Sequence, residues 1–216
     1  MQTPPVGTKK FWYSRSGNSL LFADPEGLGH ELVVSDARDE PLTADQPEIP
    51  AEYALQGFEG VRAYTHDPEA SRAFLERTLE FDPRGDDGWE ARGENRGGFY
   101  RYDRSDERGL PGAGTVHHVA WASPMDEHEA WQKRVAESGA SPTPVIDRYY
   151  FKSIYFREPS GVLFEIATIG PGFTADEPLE SLGERLSLPP DYEQLRDRLE
   201  QVLTPLPDTR AVRSPK

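Results

Sequence analysis

The chain has 216 residues, and its 38 Asp and Glu against 24 Lys and Arg give a formal charge of −14. That charge repels phosphate and excludes nucleic acid and anionic membrane surfaces as partners. With 36% hydrophobic and 11% aromatic residues it can build a core, and with no cysteine it has no disulfide framework, thiolate nucleophile, Cys-type zinc site or iron–sulfur cluster. Any metal is therefore held by His and carboxylate. No apolar run approaches the roughly 20 residues of a membrane helix, and Met1-Gln-Thr-Pro-Pro5 begins no signal peptide, so a cytoplasmic location is expected. Only five of the 24 basic residues are Lys. An acidic, Lys-poor, Arg-rich surface suits a high-salt, halophilic cytoplasm, where salt screens self-repulsion; a GC-rich genome gives the same Arg bias through codon usage.

In chain order, Phe22-Ala-Asp-Pro-Glu-Gly leading to Glu31-Leu-Val predicts an apolar strand, an acidic-Pro-X-Gly turn and a second strand. Residues 35–50 are polar and proline-rich, hence a linker. Phe58–Tyr64 predicts a strand, and Asp67–Glu80 a helix with Pro68 in its first turn and Ala73, Phe74 and Leu79 on one buried face. Thr115–Trp121 predicts another strand, followed by an acidic-capped helix from Asp126 to Ser138 closed by Gly139. Phe156-Arg-Glu-Pro-Ser-Gly with Glu165-Ile-Ala then repeats the first hairpin, agreeing at Phe, acid, Pro, Gly and Glu.

The repeat defines a unit of strand, helix and antiparallel strands, at 57–105 and again at 114–169. A partial copy lies in 1–50, so the expected organisation is a remnant plus linker at 1–50, a two-unit domain at 51–170 and a helical tail at 171–216. Glu165 follows His118 by 47 residues, and the same spacing counted back from Glu31 falls before Met1. The first unit is thus expected to lack its opening strand and helix. In the tail, Tyr192, Leu195, Leu199 and Val202 form a helical stripe expected to lie against the body.

His117 and His118 are neighbours on the predicted strand, so their side chains are expected on opposite faces. Glu165 interrupts an apolar run, Val162-Leu-Phe-Glu-Ile-Ala167, where a buried carboxylate needs a cation or hydrogen-bond donors. One His and one Glu from two strands can supply two legs of a two-His-one-carboxylate facial triad, which leaves open positions on iron.

The motifs Gly114-Thr-Val-His-His-Val-Ala-Trp121 and Pro144-Val-Ile-Asp-Arg-Tyr-Tyr through Phe164-Glu-Ile-Ala-Thr-Ile-Gly-Pro-Gly-Phe173, continuing through Asp176–Glu180 and Leu188-Pro-Pro190, carry a resemblance. The sequence resembles the vicinal oxygen chelate superfamily (glyoxalase, bleomycin resistance and extradiol dioxygenase), and within it the ring-cleaving dioxygenases of hydroquinone-type rings. The resemblance implies an α+β fold of βαβββ repeats with mixed sheets curved around a pocket. It implies His118 and Glu165 as metal ligands, and His117, Arg148 and Tyr155 lining the substrate pocket. It implies Fe(II), with Mn(II) as the other candidate, and an aromatic substrate cleaved with O2.

The family's remaining His ligand lies on a unit that this chain does not match. His30, His66 and His128 do not correspond to it, and Gly60 stands where His118 would be in the middle unit. A homo-oligomer, or a partner chain carrying the first unit, is the expected source. A metal-free protein binding small aromatic molecules in the same fold is the alternative, and a glyoxalase-type isomerisation is a third reading. In purely structural terms Arg148 would be an exposed Arg pairing Asp147, Tyr155 a core aromatic, Glu31 a relic of the repeat, Trp121, Trp131 and Phe164 core residues, and Gly112-Ala-Gly114 a turn.

Salt adaptation predicts that added KCl raises the thermal midpoint of the purified chain; full solubility and an unchanged midpoint in low-salt buffer would contradict it.

Overall fold

The computed structural model describes residues 13–35, 37–43, 49–107, 109–112 and 114–205, with side chains from Gly17 onward. Met1–Pro5, part of the 35–50 linker, Ala113 and the last residues of the tail lie outside the described set.

Three sheets succeed one another. Strands β1 (Tyr13–Ser16), β2 (Ser19–Ala23) and β3 (Gly29–Val33) form an antiparallel sheet. Strands β4 (Gly60–Thr65), β5 (Asp82–Pro83), β6 (Gly88–Arg92) and β7 (Gly97–Arg104) form a second, ordered β4-β7-β6-β5. Strands β8 (Val119–Ser123), β9 (Ile146–Asp147), β10 (Lys152–Arg157) and β11 (Leu163–Thr168) form a third, ordered β8-β11-β10-β9. In each four-stranded sheet the opening strand runs parallel to the last and the others are antiparallel, so the two have one topology and are mixed. The three-stranded sheet has only the hairpin part of that pattern.

Each opening strand leads into a helix. Helix α1 (Glu69–Ala73) continues into a π turn over Phe74–Thr78. The wider turn rotates the following side chains, so Leu75 is fully buried beside Phe74 and Leu79, whereas Ala73, expected on the buried face, is exposed. Helix α2 (His128–Glu137) has the expected place, and Gly139 follows it at φ +91°. Its expected acidic cap is absent: Glu127 makes no side-chain cap bond, and the acid of the first turn is Glu129.

One aromatic core joins the two four-stranded sheets. Tyr100 of β7 meets Phe164 of β11 edge-on at 5.1 Å, Phe81 meets Trp121 at 4.7 Å, and Phe74 meets Phe156 at 5.8 Å. Each such side chain removed from water contributes about 1.5–3 kcal/mol. Ion pairs tie the first sheet and the linker after it to the second sheet: Glu31 of β3 with Arg62 at 3.7 Å, and Asp39 of the linker with Arg92 at 2.9 Å. The tail departs from expectation. The stripe faces outward: Tyr192 and Leu195, in the 3-10 turn Pro190–Leu195, and Val202 of the following helix α3 (Arg196–Val202) are exposed.

The acid of each acidic-Pro-X-Gly turn has a definite task. Asp24 accepts the Glu26 and Leu28 amides at 2.9 Å, and the Leu28 bond holds its carboxyl below the usual range. Glu158 accepts the corresponding Ser160 and Val162 amides at 2.9 and 2.8 Å. It also accepts the Tyr102 hydroxyl at 2.8 Å and the Ser71 hydroxyl, both from the middle unit, and it is 2% exposed. Burial, together with this carboxylate, pushes the Tyr102 phenol up. A turn residue of one unit thereby fastens it to the other. Glu158→Ala is expected to lower unfolding free energy by about 2–4 kcal/mol, because it takes the carboxylate acceptor from the buried Tyr102 hydroxyl and from the Ser160 and Val162 amides; urea unfolding measures it.

Candidate functional site

Glu165 lies in the middle of β11, flanked by β10 and β8, and is 3% exposed. Antiparallel register sets it opposite Tyr155, and parallel register sets it beside Ala120. Both neighbours supply what a buried carboxylate requires. The Tyr155 hydroxyl donates to Glu165 Oε1 at 2.6 Å, and His118 Nε2 lies 2.7 Å from Glu165 Oε2. The Tyr155 and His118 rings meet edge-on at 5.6 Å, and the Arg148 guanidinium stands over the Tyr155 ring at 5.7 Å.

The two histidines are not placed as expected. Strand β8 begins only at Val119, so His117 and His118 precede it and their side chains do not alternate. Their Nδ1 atoms approach to 2.9 Å with the rings perpendicular, so one ring must carry the proton they share. His117 is exposed and His118 partly so, which puts His117 at the rim and His118 against the carboxylate. The remaining histidines have other surroundings. His128 is buried, accepts or donates to Ser123 Oγ at 3.1 Å, and is held toward its neutral form by desolvation. His30 stacks on Phe22 at 5.1 Å, and His66 is exposed.

Arg148 does not pair with Asp147. The Asp147 carboxylate accepts the Tyr149 amide at 2.7 Å, and the Arg148 amide donates to the Phe151 carbonyl at 2.8 Å. Two further contacts were invisible in the sequence. Thr143 brackets the Tyr155 backbone, its hydroxyl accepting the Tyr155 amide at 3.1 Å while its amide donates to the Tyr155 carbonyl at 2.9 Å. Gln132 of α2 donates to the Thr143 carbonyl at 2.8 Å.

The donor set has two of the three protein ligands that a facial triad requires. Two ligands of a divalent cation, each about 2.1 Å from it and at right angles, stand about 3 Å apart, close to the His118–Glu165 separation. The pair therefore fits two adjacent coordination positions. No group of three His, Asp or Glu able to hold a metal occurs among the described residues.

The repeat shows why the trio occurs once. By register, His118, Glu165 and Tyr155 correspond in the middle unit to Gly60, Arg101 and Gly88. Gly60 lies so close to β7 that a Cβ would overlap the Phe99 carbonyl, so no side chain can reach in from there. In the first hairpin Glu31 keeps its place but faces Leu21 instead of a tyrosine, and pairs with Arg62.

With this arrangement in view, the comparisons with known proteins are specific. Residues 57–166 match the Glyoxalase/Bleomycin resistance protein/Dioxygenase superfamily. The chain is 38% identical to a candidate ring-cleaving dioxygenase of Bacillus subtilis (strain 168), MhqO, over 93% of its own length and 70% of that protein's. It is 33% identical to a chlorohydroquinone/hydroquinone 1,2-dioxygenase of Sphingobium indicum, over 90% and 68% of the two lengths. A crystal structure of a candidate dioxygenase from Bacillus subtilis superposes with a TM-score of 0.80 at 35% identity, covering 92% of this chain and 66% of that one. The chain belongs to the glyoxalase/bleomycin resistance/dioxygenase superfamily, and its mixed sheets have that fold. No helix among the described residues is long and apolar enough to cross a membrane.

Proposed function

We propose that the chain supplies two of the three protein ligands of an Fe(II)-dependent, extradiol-type ring-cleaving dioxygenase acting on hydroquinone- or catechol-like rings. The observation that carries this reading is the convergence of His118 Nε2 and Glu165 Oε2, 2.7 Å apart, beneath Tyr155 and Arg148. The relatives named as ring-cleaving dioxygenases support it. Mn(II) satisfies the same donors.

A bound iron would supply the positive centre that makes a ring hydroxyl more acidic, and the redox path between ring and dioxygen. The remaining work falls to the side chains. Tyr155 donates to one carboxylate oxygen of Glu165 and leaves the other directed at His118, which fixes the orientation of the acceptor pair. His117, at the rim and in hydrogen-bond reach of His118, is placed to accept a proton from a ring hydroxyl. Arg148 offers a permanent cation to a phenolate oxygen. The sheet face that carries these groups has Ala120 and Ala122 exposed at β8, which leaves room for a second copy of this chain, or a separate chain, to bring the third ligand.

The count of two ligands also favours a second reading: a metal-free binder of small aromatic molecules, in which the Tyr155–Glu165–His118 chain is a satisfied polar floor. Metal retention separates the two. After anaerobic loading and desalting, His118→Ala and Glu165→Ala are expected to lose iron measured by mass spectrometry of the metal, and Tyr155→Phe to bind it about 10–100-fold more weakly. Either ligand variant keeping the native iron content would sink the dioxygenase assignment.

A further inference from the structure

The turn joining β9 to β10 holds a residue in a conformation that its side chain disfavours. Asp147 pairs with Lys152, and the Arg148 amide donates to Phe151, which leaves Tyr149 and Tyr150 as a two-residue loop. Tyr149 sits at φ +69°, in the left-handed region. The first central position of such a turn is ordinarily Gly, because any Cβ there crowds the neighbouring carbonyl. Strain of this kind persists only where the surroundings over-determine it.

The surroundings do so here. On one side the Asp147 carboxylate holds the Tyr149 amide at 2.7 Å. On the other, the segment 170–187 grips Tyr150 at both ends. The Gly172 amide donates to the Tyr150 carbonyl at 2.8 Å, and the Tyr150 hydroxyl donates to Asp176 Oδ2 at 2.9 Å, a carboxylate that Ser187 Oγ also reaches at 2.7 Å. Phe173 lies against the Tyr150 ring at 5.3 Å, and Tyr149 meets that ring edge-on at 5.0 Å. Fixing Tyr150 fixes the turn, and the turn sets the direction of Arg148, the residue immediately before it. Arg148 has no ion-pair partner within 4.0 Å among the described residues, and its only ring contact is the face of Tyr155. Among the described residues, only the turn and that ring hold this long, exposed side chain over the site.

We propose that Tyr150 is a positioning residue: clamped by the 170–187 segment, it holds the turn in which Tyr149 is left-handed, and that turn directs Arg148 over the Tyr155 ring, where the guanidinium meets the phenolate of a bound ring. This rests on the ring-binding reading above. It gives the segment after β11 a task in the site without contacting the ligand.

The test uses the full chain with Mn(II) and the coloured probe 4-nitrocatechol. Tyr150→Phe keeps the ring but removes the clamp to Asp176, so 4-nitrocatechol is expected to bind about fivefold more weakly. Mn(II) affinity stays within about twofold of native, because neither ligand moves. Tyr149→Gly is the control: glycine takes the same left-handed turn without strain, so its 4-nitrocatechol affinity stays within about twofold of native. A Tyr150→Phe chain that binds nitrocatechol as tightly as native overturns the proposal. A native chain that takes up no nitrocatechol overturns this proposal and the ring-binding reading together, whereas native binding with no effect of Tyr150→Phe overturns this proposal alone.

Discussion

A carboxylate in the centre of a sheet, shielded on both sides by strands, is tolerated only when donors or cations surround it. Glu165 meets that condition through the Tyr155 hydroxyl and the His118 ring. The register of β10 on β11 puts Tyr155 opposite Glu165, the parallel register of β8 puts the residues before Val119 beside it, and neither can slip without exposing the carboxylate or burying it alone. The βαβββ topology is what brings a strand's beginning, 47 residues upstream, to the flank of that carboxylate.

The same topology occurs in the middle unit without the chemistry, which separates what the fold does from what the site does. There the corresponding positions are Gly60, Arg101 and Gly88, and the sheet still forms, twists and buries Trp89 and Tyr100 completely. The fold therefore requires the apolar face, and not the polar trio. Glu158 belongs to the structural set and Glu165 to the proposed metal site, although both are buried acids seven residues apart. The distinction lies in their partners. Glu158 is closed in by two backbone amides and two hydroxyls, whereas Glu165 has one oxygen held by Tyr155 and the other turned to an imidazole that can be exchanged for a cation.

Much of this was legible in the sequence. The acidic-Pro-X-Gly turns and the Glu at a fixed offset located both hairpins, and a lone Glu in an apolar run pointed to the centre of the site, because burial of charge is costly enough to demand a reason. What was not legible depends on long-range partners. Thr115–Trp121 reads as one strand, yet β8 starts at Val119, where β11 begins to offer hydrogen bonds, and this puts His117 and His118 on one side instead of two. The π turn moved Leu75 into the core in place of Ala73, a shift that side-chain periodicity cannot register. The tail stripe reads as buried because amphipathicity reports a preference for a partner, and says nothing of whether one is present. Asp147-Arg-Tyr-Tyr contains no Gly or Asn to announce a tight turn, since its geometry is imposed by a segment more than 20 residues away.

In the proposed metal site, the His118–Glu165 contact is two adjacent coordination positions closed on each other. Crystals of the chain soaked in Mn(II) and measured at the manganese edge distinguish this from a structural hydrogen bond. An anomalous peak is expected about 2.0–2.2 Å from both His118 Nε2 and Glu165 Oε2, with Tyr155 still donating to the carboxylate. An intact His118–Glu165 hydrogen bond at saturating Mn(II), with no peak between them, would contradict it.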